Sequence, residues 1–326
     1  MELEYLNKNS PRLEKTKAFL ASSGLDFDEG CNLTVNALED GEIIATGSLD
    51  GNVLKCIAVS PRHQGEGLSA TIVTELRKAA FDNGENHLFI FTKPNNIDMF
   101  EGLSFYPVAS THDALLMESI KGGCESFVAA IPKKEGICGA IVANCNPFTL
   151  GHRYLIEEAA KQCDWLYLFI LSEDKSRFSA HARLELAKKG VSDLDNVIVC
   201  PTGKYLISAA TFPTYFIKDK TAAEDIKCDM DIEVFSGVFA KKLNITKRFV
   251  GTEPNSPVTN AYNERLKALL PQRNIRLVEI ERKRANDEPI SASRVRKLIT
   301  QGDRAGLIPL LPQSTLEYID QKFFEK

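Results

Sequence analysis

The residue types best suited to chemistry lie in one short segment that contains Asn144, Asn146, Thr149, Gly151 and His152. An apolar run ends there, the chain turns at Asn-Pro, and a helical pattern begins with Thr-Leu-Gly-His. Because a helix start offers free backbone N–H groups and the positive end of the helix dipole, it favours bound anions, and a histidine adds a further donor. The segment therefore predicts a site that holds the phosphates of a nucleotide.

The elements that position this segment alternate along the chain. Predicted strands and helices follow one another at 137–144, 151–163, 165–171, 180–190 and 196–200. The strands are apolar, as strands buried on both faces are, and the alternation predicts a parallel sheet. Apolar positions share one face of the first helix, which leaves His152 at the exposed helix start, above the sheet edge where ligands bind in open α/β folds.

Length and composition indicate the class of protein. The 326 residues predict two domains, and 44% hydrophobic with 26% charged residues is typical of a soluble globular protein. No apolar run approaches the roughly 20 residues of a membrane span, and the first residues lack a secretory-signal pattern, so we expect a cytoplasmic protein with no membrane partner. Eight scattered cysteines predict neither disulfides nor a zinc site, and no metal-ligating side chains are predicted.

Charge is distributed unevenly. The formal net charge of −4 gives no reason to expect a nucleic-acid partner. Residues 241–300, however, hold 14 Lys and Arg against 6 Asp and Glu. Such a segment suits phosphates or an acidic protein partner, with a solvated charged face as the alternative.

The N-terminal half contains a second candidate anion site. A helix and a small antiparallel meander are predicted at 11–24, 33–38, 42–48 and 53–59. The last strand runs into a loop that carries Arg62, Gly65 and Gly67 and precedes another helix. This loop resembles the Arg/Gln-x-x-Gly-x-Gly loop of the GCN5-type N-acetyltransferase (GNAT) superfamily, a resemblance that covers roughly residues 1–120. It implies an α+β domain whose loop holds the pyrophosphate of a CoA-like group on backbone amides.

Two departures from that superfamily bear on catalysis. Phe100 stands where many members carry a tyrosine that acts as a general acid, and Ser104 replaces a usual glycine. Because phenylalanine has no proton to donate, the sequence favours binding or docking of a CoA-like group over acetyl transfer by this domain.

Glycines and lysines around residues 121–137 indicate a connector, within which a short apolar strand is predicted at 127–131. We therefore expect a GNAT-like domain over 1–125 and a second domain over 137–326.

The candidate phosphate segment has a distant companion. Thr149-Leu150-Gly151-His152 resembles the T/HxGH motif of the nucleotidylyltransferase superfamily, and Ile290-Ser-Ala-Ser-Arg-Val-Arg296 matches its ISxTxxR motif, with Ser293 in place of threonine. The resemblance implies a Rossmann-like α/β domain in which Thr149 and His152 face ATP phosphates and His152 stabilises charge during attack on the α-phosphorus. The residues that would hold the departing β- and γ-phosphates are Ser291, Ser293 and Arg296.

The same resemblance implies further nucleotide contacts. Lys175 falls where relatives place a phosphate-binding lysine, and Asn144 lies where others use a small polar residue near the incoming nucleophile. Asn146 and Gly151 belong to the nucleotide-binding turn, and Gly251-Thr252-Glu253 resembles a nucleotide-contact element with Glu in place of Asp. ATP and Mg²⁺ are the implied cofactors, since Mg²⁺ often binds chiefly through phosphates with few protein carboxylates.

The order of these features resembles the citrate (pro-3S)-lyase ligase family over nearly the whole chain. The resemblance implies a ligase that forms acetyl-adenylate from acetate and ATP and transfers the acetyl group to the prosthetic-group thiol of the citrate lyase acyl carrier protein. Residues 241–300 would dock that acidic carrier. Candidates for the acetate and carrier-arm pocket, with core packing as the alternative, are Tyr205, Ser208, Phe212 and Tyr215.

Two other classes of function remain open. A nucleotidyltransferase would join ATP to a phosphorylated cofactor precursor such as phosphopantetheine, although the long N-terminal domain argues against it. Alternatively, both loops would be vestigial in a binding module, which the intact Thr149, His152, Ser293 and Arg296 disfavour.

Overall fold

The computed structural model describes residues 1–173, 176–206, 212–217, 222–253 and 257–324. The chain forms two units, one of Met1–Cys124 with Phe212–Glu233 and the other of Glu125–Thr211 with Val234–Lys326. The segment Phe212–Glu233 thus groups with the N-terminal unit, whereas the sequence pattern assigns it to the second domain.

The N-terminal unit is built on a sheet that has seven strands among the described residues. Its elements are β1 (Glu2–Asn7), α1 (Leu13–Ser22), β2 (Leu33–Glu39), β3 (Glu42–Asp50), β4 (Val53–Val59), α2 (Leu68–Asp82), β5 (Phe89–Thr92), α3 (Ile97–Glu101), β6 (Tyr106–Ser110) and β7 (Leu115–Glu118). The predicted helix, meander and second helix are confirmed, and β1 is an additional edge strand. Leu54, Ile72 and Leu76, which are fully buried, belong to the core between α2 and the sheet.

One strand pair of this sheet differs from its neighbours. The strand order is β1-β2-β3-β4-β5-β7-β6, and neighbours are antiparallel except for β4 and β5, which run parallel. Only Val53 with Phe89 and Leu54 with Ile90 are paired between them, so the carboxyl half of β4 continues without β5 beside it. The sheet therefore opens between the ends of these two strands.

The remaining elements include a second, parallel sheet. In chain order they are α4 (Gly123–Ala129), β8 (Cys138–Ala143), α5 (Leu150–Ala160), β9 (Trp165–Ile170), α6 (Ala180–Gly190), β10 (Val197–Pro201), α7 (Ala223–Val234), a π-helical stretch (Phe235–Ala240), α8 (Lys241–Leu243), β11 (Ile245–Gly251), α9 (Pro257–Leu269), β12 (Arg276–Ile280), β13 (Arg284–Ala285), β14 (Glu288–Pro289), α10 (Ala292–Gln301), α11 (Arg304–Leu307) and α12 (Gln313–Ile319). None of the helices that the structure describes combines the length and apolar character needed to cross a bilayer.

The order of the parallel strands locates the ligand-binding edge. Strands follow one another as β10-β9-β8-β11-β12, and every neighbouring pair is parallel, which confirms the predicted parallel sheet. The direction of winding reverses between β8 and β11, and open α/β sheets bind ligands at the carboxyl ends of the strands beside such a reversal. The segment after β8 begins at this position.

The predicted strand at 127–131 is wrong, because the chain forms helix α4 there. Cys124 and Val128 are fully buried and Ile131 is 9% exposed, so the apolar residues recur at helical intervals of four and three. A short apolar run cannot be assigned to a strand or a helix from its pattern alone. Pro132, four residues after Val128, disfavours continuation of the helix.

Candidate active site

Helix α5 begins with a reciprocal pair of hydrogen bonds between Thr149 and His152. The Thr149 hydroxyl accepts from the His152 backbone N–H over 3.3 Å, and His152 Nδ1 accepts from the Thr149 backbone N–H over 3.0 Å. This is a capping box in which histidine takes the place of the more usual Glu or Gln. Thr149 is almost fully buried. Its contacts therefore hold the imidazole in one orientation.

These contacts also determine which ring nitrogen of His152 carries the proton. Because Nδ1 accepts a backbone N–H, the proton of the neutral ring is on Nε2, which is then a donor. Burial, followed by the positive charge of Arg282, lowers the pKa of His152 to about 4. The residue is half-buried, not exposed as the sequence pattern predicts. Near neutral pH, His152 thus offers a neutral N–H donor.

The two distant motifs meet at Gly151. A Cβ built on this residue would lie 3.0 Å from the Ile290 carbonyl oxygen and 3.3 Å from Ile290 Cβ. Since real Cβ atoms rarely approach neighbours that closely, glycine allows the segment before α10 to lie against the start of α5. Ser291 then caps α10 by accepting from the Arg294 backbone N–H over 3.2 Å.

Arg296 makes a second connection between the motifs. Its guanidinium donates to the Asn146 carbonyl over 2.6 Å and to Ser293 Oγ over 2.9 Å. Burial, and then the charge of Arg177, lower the pKa of Arg296. The turn after β8 and the first helical turn of α10 are therefore held together by a cation.

A cavity of about 110 Å³ lies between the start of α5 and the segment before α10. Among the described residues of the two motifs, Asn146, Ser293 and Arg296 do not line it. Arg282 lies on its wall, donates to the Thr252 carbonyl over 2.7 Å and forms an ion pair with Glu253. The cavity is lined by helix-start groups and by two cationic side chains, Arg282 and Lys283, against one carboxylate, Glu281, which suits an anion. Its lining includes Thr149, Gly151, His152, Gly251, Ile280, Arg282, Lys283 and Ser291.

Two arginines of the second unit, Arg183 and Arg282, were not predicted from the sequence to be site residues. Arg282 lies within residues 241–300, where the sequence pattern does not distinguish it from the neighbouring Lys and Arg residues. Arg183 on α6 is fully buried among Ala182, Leu186 and Ala187, and it contacts Asn144. A charged residue on an apolar helix face is the sequence signal that would have identified it.

The candidates for the acetate and carrier-arm pocket do not all belong to the same unit. Tyr205 is buried, with its ring 5.5 Å from that of Phe127, while Tyr215 in the N-terminal unit donates its hydroxyl to the Phe91 carbonyl over 2.9 Å. Phe212 also packs on Phe91. Tyr205 and Phe212 have the core packing that the sequence left as the alternative, whereas Tyr215 also lines a cavity of the N-terminal unit. Lys175 and Ser208 lie outside the described residues.

Several charged side chains of residues 241–300 form ion pairs within the second unit. Lys267 pairs with Glu264 and Glu279, and Arg294 pairs with Glu288. The segment is thus a set of separate ion pairs and site residues, with exposed lysines such as Lys241 between them.

A larger cavity, of about 610 Å³, lies in the N-terminal unit where β4 and β5 separate. Gly65 lines it and has a φ of +89°, and Gly67 before α2 has a φ of +78°, so the loop uses conformations that favour glycine. Phe100, which is buried, forms part of the wall, while Arg62 is exposed in the preceding turn. The loop and the cavity are adjacent, as an anion-binding loop beside a ligand slot would require.

Comparison with known families assigns both halves of the chain. Residues 138–319 match the citrate lyase ligase C-terminal domain, and residues 3–105 match the acetyltransferase (GNAT) family. The citrate (pro-3S)-lyase ligase of Klebsiella pneumoniae is 43% identical over 97% of this chain and 95% of that relative. The chain belongs to the citrate lyase ligase family. The family member of Escherichia coli strain K12 is 39% identical over 94% of this chain and 90% of its own.

A more distant similarity is confined to part of the chain. The phosphopantetheine adenylyltransferase of Streptococcus gordonii is 25% identical over 58% of this chain and 96% of that enzyme. Family membership thus accounts for nearly the whole chain, whereas the adenylyltransferase accounts for little more than half.

Proposed function

We propose that this protein activates acetate with ATP and transfers the acetyl group to the prosthetic-group thiol of the citrate lyase acyl carrier protein, which activates citrate lyase. Family membership over nearly the whole chain is the observation that carries this proposal. The contact of Gly151 with Ile290 and the Arg296–Asn146 hydrogen bond support it, because they hold the two candidate phosphate-binding segments together beside one cavity.

In the first step, an acetate oxygen attacks the α-phosphorus of ATP, and the bond to the bridging oxygen breaks as pyrophosphate leaves. The start of α5 and the Nε2–H of His152 would stabilise charge on the α-phosphate, since positioned donors are the main requirement of phosphoryl chemistry. The hydroxyls of Ser291 and Ser293 and the guanidinium of Arg296 would hold the departing phosphates.

Magnesium would be bound mainly through the nucleotide. The described residues contain no cluster of His, Cys, Asp or Glu that could hold a metal ion by itself. The donors that line the cavity suit phosphates, and Mg²⁺ commonly keeps waters and substrate phosphates as its ligands. It would neutralise phosphate charge during the displacement.

In the second step, the carrier thiol attacks the acetyl carbonyl and AMP leaves. AMP is a good leaving group, so this step needs no acid at Phe100. The cavity of about 610 Å³ in the N-terminal unit would hold the nucleotide-like end of the carrier's prosthetic group. The loop that carries Gly65 and Gly67 would contact the phosphates of that group. We place the activity in the cytoplasm, where ATP is available.

Exchange of labelled pyrophosphate into ATP tests the first step. With Mg²⁺, exchange should depend on added acetate, and phosphopantetheine should not replace acetate. Exchange that requires phosphopantetheine would contradict the proposal and support an adenylyltransferase.

The variant His152→Ala should lose about 10²- to 10³-fold in exchange rate, because removal of one positioned donor costs that much in related chemistry. His181→Ala is the matched control, since His181 is exposed on α6. Wild-type exchange in the His152 variant would remove this residue from the mechanism.

A further inference from the structure

Phe148 packs against the imidazole of His152 at the start of α5. Its side chain is fully buried, and the two rings are stacked with their centroids 5.8 Å apart and their planes at 28°. The hydrogen bonds to Thr149 fix which edge of the imidazole faces the backbone, whereas Phe148 limits how far the ring can tilt. The position of His152 Nε2 therefore depends on the position of Phe148.

Phe148 is in turn fixed by Gly190, the last residue of α6. A Cβ built on Gly190 would lie 2.7 Å from Phe148 Cδ1 and 2.9 Å from Phe148 Cζ, closer than real Cβ atoms approach their neighbours. Gly190 is buried and its φ is not positive, so the backbone itself would accept alanine. Glycine is needed here because of the aromatic ring and not because of the backbone conformation.

A second contact joins the start of α5 to the same glycine. Arg153, the residue after His152, donates from Nη1 to the Gly190 carbonyl over 2.7 Å. Its guanidinium also forms a two-point pair with the Asp193 carboxylate, over 2.5 and 2.6 Å, just beyond the end of α6. Such pairs fix geometry as well as charge. Gly190 thus contacts one residue before His152 and one residue after it.

We propose that Gly190 is a positioning residue for His152 and acts through Phe148 on one side and Arg153 on the other. The inference rests on the proposed function, in which the Nε2–H of His152 stabilises charge on the α-phosphate. Gly190 does not line the cavity at His152, so it acts without touching the substrates. Because small displacements of a catalytic group cost much of its effect, the close packing at Gly190 supports the transition state.

The variant Gly190→Ala tests this role, because its methyl group must displace the Phe148 ring. The maximal rate of acetate-dependent pyrophosphate exchange should fall at least about tenfold, while the KM for ATP stays within about twofold. A misplaced donor weakens the transition state more than it weakens substrate binding. Gly102→Ala is the control and should leave both values unchanged, since its Cβ would have ordinary contacts at 3.4 Å. An unchanged maximal rate in folded Gly190→Ala would overturn the inference.

A second substitution distinguishes displacement of the ring from general damage. Phe148→Leu removes ring carbons that the new methyl group would meet, so adding Gly190→Ala to Phe148→Leu should cost less than about twofold in maximal rate. If the full loss is added in the double variant, Gly190 acts independently of Phe148 and the inference fails.

The NMR signals of His152 give a readout that does not depend on activity. Because the Phe148 ring lies beside the imidazole, its displacement in Gly190→Ala should shift the signals of the carbon-bound ring protons of His152, and Gly102→Ala should leave them in place. Unshifted signals in Gly190→Ala would overturn the inference. If the wild-type protein shows no acetate-dependent exchange, the proposed function fails, while these signals still decide whether Gly190 positions the ring.

Arg153→Lys tests the other contact and serves if Gly190→Ala does not fold. Lysine keeps the positive charge but cannot donate at once to the Gly190 carbonyl and to both Asp193 oxygens. The maximal exchange rate should fall about threefold or more, with the ATP KM near its wild-type value, in protein shown to be folded by thermal melting. A wild-type maximal rate would contradict the positioning of His152 through this contact.

Discussion

His152 illustrates at the scale of one residue how backbone contacts set a side chain's chemistry. Its Nδ1 atom accepts the Thr149 N–H, so the neutral ring can donate only through Nε2 and has little tendency to gain a second proton. A motif can identify the histidine, but protonation depends on burial and on Arg282, which lies far along the chain.

We predict that His152 stays neutral from pH 7.5 down to about pH 5.5. Its pKa of about 4 is below the usual value near 6.5, because burial and Arg282 disfavour the cation. NMR titration of the imidazole signals, with His152→Asn used to assign the resonance, measures this. A midpoint near pH 6.5 in the ligand-free protein would contradict it.

The lowered pKa of His152 also makes the free energy of unfolding depend on pH. The unfolded chain binds a proton at His152 below about pH 6.5, whereas the folded chain does so only near pH 4. The stabilising contribution of His152 is therefore present above pH 6.5 and is lost as the pH falls towards 4. The unfolding free energy of the wild type should decline relative to His152→Asn over that interval.

At the scale of elements, the site depends on the close approach of α5 to the segment before α10. The alternation of strands and helices was sufficient to predict the parallel sheet and the helix after the Asn-Pro turn. The helix α4 could not be distinguished from a strand, because its short apolar run fits both periods. The assignment of Phe212–Glu233 to the N-terminal unit depends on long-range packing, such as the Tyr215–Phe91 hydrogen bond, which no local pattern reports.

We predict that Gly151→Ala lowers kcat/KM for ATP by about 10- to 100-fold with little loss of stability. The added methyl group meets the Ile290 carbonyl and displaces the α10 segment, while alanine's higher helix propensity offsets part of the strain. Exchange kinetics and thermal melting measure the two effects. Gly102→Ala is the control, since its Cβ would have ordinary contacts at 3.4 Å. Unchanged ATP kinetics would show that the close approach is not required.

At the scale of the whole molecule, the two units divide the proposed reaction. The second unit contains the two candidate phosphate-binding motifs, and the N-terminal unit contains the larger cavity and the loop with Gly65 and Gly67. Adenylation and acetyl transfer to the carrier should therefore respond separately to substitutions in the two units.

We predict that Gly65→Ala impairs acetylation of the carrier about tenfold or more and leaves acetate-dependent exchange unchanged. Its φ of +89° disfavours any side chain, so the loop must change conformation beside the cavity. Gly84→Ala is a matched control, because Gly84 also has a positive φ, of +81°, with open space around it, and it does not line the cavity. Equal loss of acetate-dependent exchange and of carrier acetylation in Gly65→Ala would contradict the assignment of the two steps to different units.

The hydrogen bond from Arg296 to Asn146 joins residues 150 positions apart. During synthesis, β8 and the start of α5 leave the ribosome long before α10 exists. A nascent chain can complete its first domain and the parallel sheet, yet it cannot close the proposed nucleotide site until residues beyond 296 have emerged. Premature termination before that point should yield a chain that cannot consume ATP.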